Sequence, residues 1–154
     1  MDSSESGPPE DPRGDFAQLQ KLYSKVVAQI GDAKIKKFLD FLLIQDRETC
    51  EKFFTAPGAR SENPGHHSFK GGLAYHSLTA AQLGAQISDH YISLGMSVNR
   101  DIVIAGVILH DVGKAFCYKW EDSSSGYAHT PENIQFHHIP MGFHHFMRQA
   151  EIYN

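Results

Sequence analysis

GVILHDVGK, residues 106–114, joins the end of an apolar segment to a histidine and an aspartate. Gly113 and Lys114 follow the His110-Asp111 pair at once. The C-terminal end of a helix carries partial negative charge and free carbonyls, so a carboxylate is unfavourable there without a cation beside it. The stretch therefore predicts a core helix whose end faces a cleft, with a metal ion or Lys114 next to Asp111. For the pair alone, the alternative is a C-capping histidine beside a surface aspartate.

The composition is that of one soluble globular domain. The 154 residues are 41% apolar and 21% charged, and the net charge of −4 excludes a broad basic surface for duplex nucleic acid. Cys50 and Cys117 form no disulfide framework, and no signal peptide is visible, so we expect a cytoplasmic protein. Apolar runs are too short for a bilayer, so we expect no membrane partner. Ten histidines raise the expectation of a metal or acid-base site.

Hydrophobic periodicity predicts an all-α bundle with a small β-hairpin near 115–130. The polar segment 1–14 lacks the apolar residues needed to fold and is expected to be a disordered tail before a domain over 15–154. Capping residues mark helix starts at Asp32 and at Ser97 or Asn99. Helices are predicted at 16–30, around 35–43, at 46–54, 73–94 and 99–112, and, with Pro140 in its first turn, at 139–153. Residues 55–72 are expected to be a loop, and Gly113 is expected in the left-handed C′ position.

An antiparallel pairing of helices 73–94 and 99–112 would bring His76 close to His110 and Asp111. Two imidazoles and a carboxylate suit Mn, Fe, Co, Ni or Zn, with Mg also compatible, and suit Ca less well. The choice among these metals, and between one and two ions, stays open.

These residues resemble the HD superfamily of metal-dependent phosphohydrolases. The superfamily pattern has a first His, a later His-Asp pair and a distal Asp, matched here by His76 and by LHDVGK at 109–114. APGARSENPGHHSFKGGLAYHSL at 56–78 is similar to a signature of bacterial HD-domain 3′–5′ exoribonucleases, and GYAHTPENIQFHHIPMG at 126–142 to their segment ending in GHIxxG. The HD-type relaxases of mobile elements share the first two blocks and remain a near alternative.

The resemblance implies roles for individual residues. His76, His110 and Asp111 match the metal ligands, and Asp111 matches the bridging carboxylate of a two-metal site. His138 matches a histidine that serves a second metal or the scissile phosphate, and Lys114 a lysine that pairs with the Asp or with phosphate. The catalytic set is therefore expected to be Asp111, Lys114, His67 and His138. Loop packing is expected for His66, and for His67 loop packing and substrate contact are equally good interpretations. His144 and His145 are expected on the surface of a helix. His90 and His129 are expected to be structural or solvated.

The chain also departs from the family pattern. The family continues past the GHIxxG block to a distal metal-binding Asp, whereas no Asp follows Asp122 here. The resemblance therefore implies a C-terminally incomplete domain, a ligand supplied by another residue or subunit, or a degenerate site.

The expected activity is metal-dependent phosphoester hydrolysis on a nucleotide or a single-stranded nucleic acid. A non-catalytic nucleotide-binding HD module is the first alternative, a purely structural helical scaffold the second, and a homo-oligomeric state stays open. Several aromatic side chains could stack on bases or serve ordinary core and hairpin packing: Phe69, Tyr75, Tyr118, Trp120 and Tyr127.

Overall fold

The computed structural model of the chain describes residues 7–8, 10–60, 67–121 and 126–153. This part of the chain is mainly helical, with one two-stranded antiparallel sheet, which confirms the predicted fold class. The helices are α1 (Phe16–Val27), α2 (Ala33–Asp40), α3 (Arg47–Thr55), α4 (Gly72–Ser93), α5 (Arg100–Leu109), α6 (Pro131–Phe136) and α7 (His138–Tyr153), and the strands are β1 (Tyr118–Glu121) and β2 (Gly126–His129). No helix among these residues is long and apolar enough to cross a bilayer.

Side-chain caps start the helices where the sequence predicts them. The Asp32 carboxylate accepts hydrogen bonds from the backbone N–H groups of Lys34 and Ile35, and the Asn99 side chain accepts one from Ile102. Each cap satisfies amides that have no partner inside the first helical turn. The second predicted helix does not run straight to Leu43, because residues Phe41–Gln45 continue α2 as a π-helical turn.

The core lies between α1, α3, α4 and α5. Leu19, Tyr23 and Val26 of α1 are buried at the spacing of one helix face, as predicted. α4 and α5 form the expected hairpin, and they pack so closely that a Cβ on Gly84 would lie 3.4 Å from Val103. This hairpin returns the end of α5 to the start of α4. The other buried apolar residues of this core include Leu39, Leu42, Leu43, Phe53, Phe54, Leu73, Leu78, Ile104 and Ile108.

The structure differs from the sequence prediction in the length and burial of α5 and in the conformation of Gly113. α5 stops at Leu109, and Ile102 near its start is 59% exposed, so the apolar segment is not buried all round. Gly113 is not left-handed, since Gly71 and Gly95 are the positive-φ glycines of the described residues. Gly113 lies inside a 3₁₀ turn, Val112–Phe116, where a Cβ would overlap with the carbonyl oxygen of His138. Close packing, not backbone handedness, is the structural reason for this glycine.

The C-terminal part contains one helix that the sequence reading missed. The predicted hairpin is confirmed, with Trp120 opposite Tyr127 in the antiparallel register of β1 and β2. α6 was not predicted, although Thr130 caps it and Pro131 occupies its first turn. α7 begins at His138, so Pro140 lies in its first turn as expected.

The segment expected to be a disordered tail contains a short ordered piece. Pro12–Gly14 form a 3₁₀ turn, capped by the Asp11 carboxylate, which accepts a 2.8 Å hydrogen bond from the Arg13 amide. Gly14 approaches the backbone of Lys70 so closely that a side chain at this position would overlap with it. These residues therefore pack against the loop that precedes α4.

Candidate metal centre

Four side chains converge on the carboxylate of Asp111, which is 7% exposed. Its Oδ2 atom lies 3.2 Å from His110 Nε2, 3.7 Å from His76 Nε2 and 2.8 Å from Lys114 Nζ. Its Oδ1 atom lies 3.4 Å from His138 Nε2. The Oδ2 atom therefore faces the two histidines of the α4–α5 hairpin, and the Oδ1 atom faces the histidine at the start of α7.

The ring of His110 is held in one orientation. Its Nδ1–H donates a 2.7 Å hydrogen bond to the carbonyl oxygen of Val107, one turn earlier in α5. This bond leaves Nε2 as the nitrogen that faces Asp111, and it is the orientation typical of a metal-binding histidine.

The ionisation of the cluster follows from burial and from mutual charge. Burial alone would raise the pKa of Asp111, but hydrogen bonds from His110 and Lys114 and the charge of Lys114 outweigh it and hold that pKa well below its usual range. The hydrogen bond to Asp111 raises the pKa of His110. Burial lowers the pKa of His76 and of His138, against the opposing pull of Asp111. The centre thus contains an ionised carboxylate beside two imidazoles that burial keeps neutral.

Lys114 connects the centre to the loop before α4. Its Nζ atom donates hydrogen bonds to Asp111 and, at 3.1 Å, to the carbonyl oxygen of Gly58. The Gly58 amide in turn donates to the carbonyl oxygen of His67 at 2.9 Å. His67 has a positive φ of 59°, and its ring centroid lies 5.4 Å from that of His76. The loop therefore places His67 at the rim of the centre.

The remaining histidines differ in their surroundings. His90 and His144 are exposed, whereas His145 is half-buried, with its Nε2 3.0 Å from the Thr49 hydroxyl, so the surface-helix reading does not fit His145. His129 is hydrogen-bonded to Asn133 and packs on Tyr118, as expected of a structural residue. The prediction for His66 concerns a position outside the described residues.

Two features of the centre depend on long-range contacts that the sequence does not specify. The Gly58 carbonyl that binds Lys114 lies 56 positions away along the chain. The close approach of Gly142 to Gly113, which sets His138 against Asp111, depends on the packing of α7. Paired glycines are a weak hint of such a crossing, and they give no partner.

The donor set fits a divalent transition metal. One ligand atom each from His76, His110 and Asp111 lie within 4.8 Å of one another. Two imidazole nitrogens and an ionised carboxylate are the ligands of Mn, Fe, Co, Ni or Zn sites, and a three-residue set leaves positions for water or substrate.

Comparison with known proteins agrees with this geometry. Residues 73–145 match the family model of the HD domain. The 3′-5′ exoribonuclease YhaM of Geobacillus sp. (strain WCH70) is 38% identical over 133 residues, which are 86% of this chain and 37% of that protein. The YhaM protein of Oceanobacillus iheyensis is 28% identical over 124 residues, 80% of this chain and 35% of that protein. That of Bacillus velezensis is 51% identical over 97 residues, 63% of this chain and 28% of that protein.

The chain spans about a third of the length of the first two of these relatives. No solved structure matches it. His76, His110 and Asp111, which the geometry brings together, all fall inside the matched segment. Residues 73–145 of this chain therefore match the HD-domain family, and the chain is similar to part of the YhaM exoribonucleases.

Proposed function

We propose that the chain hydrolyses phosphodiester bonds of single-stranded nucleic acid, RNA in the first place, with a divalent transition metal. One observation carries the proposal: two imidazole nitrogens and a buried carboxylate oxygen converge on one point, with a lysine ammonium beside them. The names of the similar proteins, all 3′-5′ exoribonucleases, support RNA as the substrate class.

In this proposal His76, His110 and Asp111 hold the metal, and His138 faces the second carboxylate oxygen, where a second ion or the phosphate would bind. When bound, the metal lowers the pKa of water and withdraws charge from a phosphoryl oxygen. Val107 fixes the His110 ring through its carbonyl, so that Nε2 stays directed at the metal position.

Lys114 has a separate role. Its ammonium lies 2.8 Å from the Asp111 carboxylate and balances the charge of that group. With a metal held at these ligands, Lys114 would be available to bind a phosphate oxygen, while its hydrogen bond to the Gly58 carbonyl keeps the ammonium in place. A positioned cation stabilises the charge that develops on the phosphoryl group in the transition state.

Two histidines are suited to proton transfer. Because burial lowers its pKa, His138 is neutral at pH 7 and acts as a proton acceptor or a nitrogen ligand. His67, at the rim beside His76, is the candidate that donates a proton to the leaving oxygen.

Cys50 and Cys117 are free thiols, which fits work in a reducing compartment such as the cytoplasm.

The test is hydrolysis of bis(p-nitrophenyl) phosphate and of a 5′-labelled oligoribonucleotide with each metal in turn. We expect turnover by the unchanged chain and by His90→Ala, an exposed histidine on the same helix as His76. Asp111→Asn should lose activity by about 100-fold or more, since it removes a ligand and not an outer contact. Equal rates for Asp111→Asn and the unchanged chain would refute the centre.

Two further outcomes separate the alternatives. Saturable nucleotide binding without turnover under any metal would favour the non-catalytic module. Product length distinguishes an exonuclease, which releases mononucleotides from one end, from a relaxase-related activity, which cuts at an internal bond.

A further inference from the structure

Two cavities beside the Val112–Phe116 turn share lining residues and together form one groove. Their volumes are about 430 and 490 Å³, and both are lined by Lys52, Phe116 and Thr130. We call this feature the basic groove. It runs from the β-hairpin, across the start of α6, to the exposed side of α7.

The basic groove contains four lysine or arginine side chains, two of them without an ion-pair partner among the described residues, although the whole chain carries −4. Lys52 pairs with Glu48 at 2.7 Å, and Lys119 pairs with Glu121 at 3.0 Å. Lys70 and Arg148 are exposed and have no ion-pair partner within the described part of the chain. The cations that line the groove are Lys52, Lys70, Lys119 and Arg148, and Glu132 is an acid that lines it with them.

Aromatic side chains line the basic groove together with these cations. Tyr118, Trp120 and Tyr127 of the hairpin line one end, and Phe136 lines the other. Phe116 lies between them, with the Lys52 ammonium 4.7 Å from its ring centroid. A cationic groove with aromatic surfaces is the arrangement that binds single-stranded nucleic acid, since phosphates meet the cations and bases stack on the rings.

The basic groove shares two walls with the metal centre. In the Val112–Phe116 turn, Lys114 contacts Asp111 while Ala115 and Phe116 line the groove. On the opposite wall, the Gly58 carbonyl binds Lys114 while its neighbour Pro57 lines the groove.

We infer that the basic groove binds the nucleotides of a single strand next to the phosphate held at the metal centre. This inference rests on the proposed function, because it assigns the path of that substrate. Lys70 and Arg148 contact phosphates, and Trp120 stacks on a base. A duplex fits less well, since its paired bases offer no free faces to the aromatic rings.

The chain supplies its own probe, because Trp120 is its one tryptophan. Titration of the full chain with a short oligouridylate, in the presence of a chelator to prevent cleavage, should quench this fluorescence saturably. The dependence of the binding constant on salt measures the phosphate contacts, at roughly 0.7 in the log–log slope for each contact on a single strand.

The decisive variant is Lys70→Gln/Arg148→Gln. Its salt slope should fall by about 1.4, as two phosphate contacts are lost. Lys21→Gln/Lys25→Gln is the matched control, since it removes two exposed lysines of α1 outside the groove and should bind as the unchanged chain does. If Lys70→Gln/Arg148→Gln keeps the salt slope and the affinity of the unchanged chain, the inference is overturned. Equally tight binding of a duplex would also overturn it.

Hydrolysis of bis(p-nitrophenyl) phosphate by the unchanged chain with manganese, measured in parallel, tests the proposed function separately. Hydrolysis without tryptophan quenching would refute the basic groove and leave the proposed function standing. Tryptophan quenching that depends on Lys70 and Arg148, without hydrolysis under any metal, would refute the proposed function and leave nucleotide binding in the basic groove standing.

Discussion

Asp111 is an unusual residue for the position it occupies. It follows the end of α5, where the helix field disfavours a carboxylate, yet it is ionised and almost fully buried. Hydrogen bonds from His110 and Lys114 offset both the burial and the field. The charge balance of the centre therefore depends on this one side chain.

The ionisation of Asp111 predicts a pH-dependent contribution to stability. Because its folded pKa lies below the unfolded value of about 3.9, its contribution is fully present above that value and is lost as the pH falls through the folded pKa. We expect the difference in unfolding free energy between the unchanged chain and Asp111→Asn to narrow as the pH falls below about 4. Urea unfolding at a series of pH values measures it. A difference that stays constant over this range would contradict the ion-pair account.

Much of the centre can be read from the residues that carry it. His110 and Asp111 are neighbours in sequence, and His76 reaches them through a helix hairpin whose arms the apolar periodicity predicts. Lys114 beside Asp111 follows from a spacing of three residues. The Gly58 contact could not be predicted, because it depends on how an irregular loop folds back over 56 positions.

α7 is placed by a glycine crossing. Gly113 in the 3₁₀ turn and Gly142 in α7 approach so closely that a Cβ on Gly142 would lie 2.9 Å from the Gly113 nitrogen. This contact positions the start of α7, and with it His138, against Asp111. The packing of an entire helix thus depends on two residues without side chains.

The crossing predicts opposite outcomes for two glycine-to-alanine changes. Gly113→Ala should destabilise the chain by about 1–3 kcal/mol, because the new methyl group overlaps with backbone atoms of α7. Gly106→Ala, at an exposed position of α5 with open space around it, should stabilise by up to about 1 kcal/mol. Thermal melting of both variants measures this, and equal stability of the two would contradict the crossing.

The elements themselves were predictable to different degrees. Local signals predict α1 and α4, and the Asn99 cap predicts the start of α5. The predicted end of α5 at 112 and the predicted left-handed conformation of Gly113 are wrong. Gly113 packs against α7 instead, a long-range contact that no local sequence signal shows. α6 was missed although Thr130 and Pro131 mark its start, because its six residues are too few to show a periodic pattern.

The centre joins three distant parts of the chain, so metal binding should stabilise the entire fold. His76, the 110–114 stretch and His138 come from α4, the end of α5 and α7. A metal that binds only the folded state, at 100 times its Kd, adds about 2.7 kcal/mol. For a chain of this length that corresponds to a rise in Tm of about 5–10 °C.

We expect this rise with manganese for the unchanged chain and for His90→Ala, and its loss in His76→Ala. Differential scanning calorimetry with and without chelator measures it. An equal rise in His76→Ala would place the stabilising ion elsewhere.

The metal content per chain tests the central claim most directly. Elemental analysis would compare the unchanged chain with Asp111→Ala and His90→Ala, each purified without chelator and then supplied with metal. We predict about one or two transition-metal ions in the unchanged chain and in His90→Ala, and none in Asp111→Ala. Equal metal content in Asp111→Ala and the unchanged chain, or none in any of the three, would contradict the metal centre.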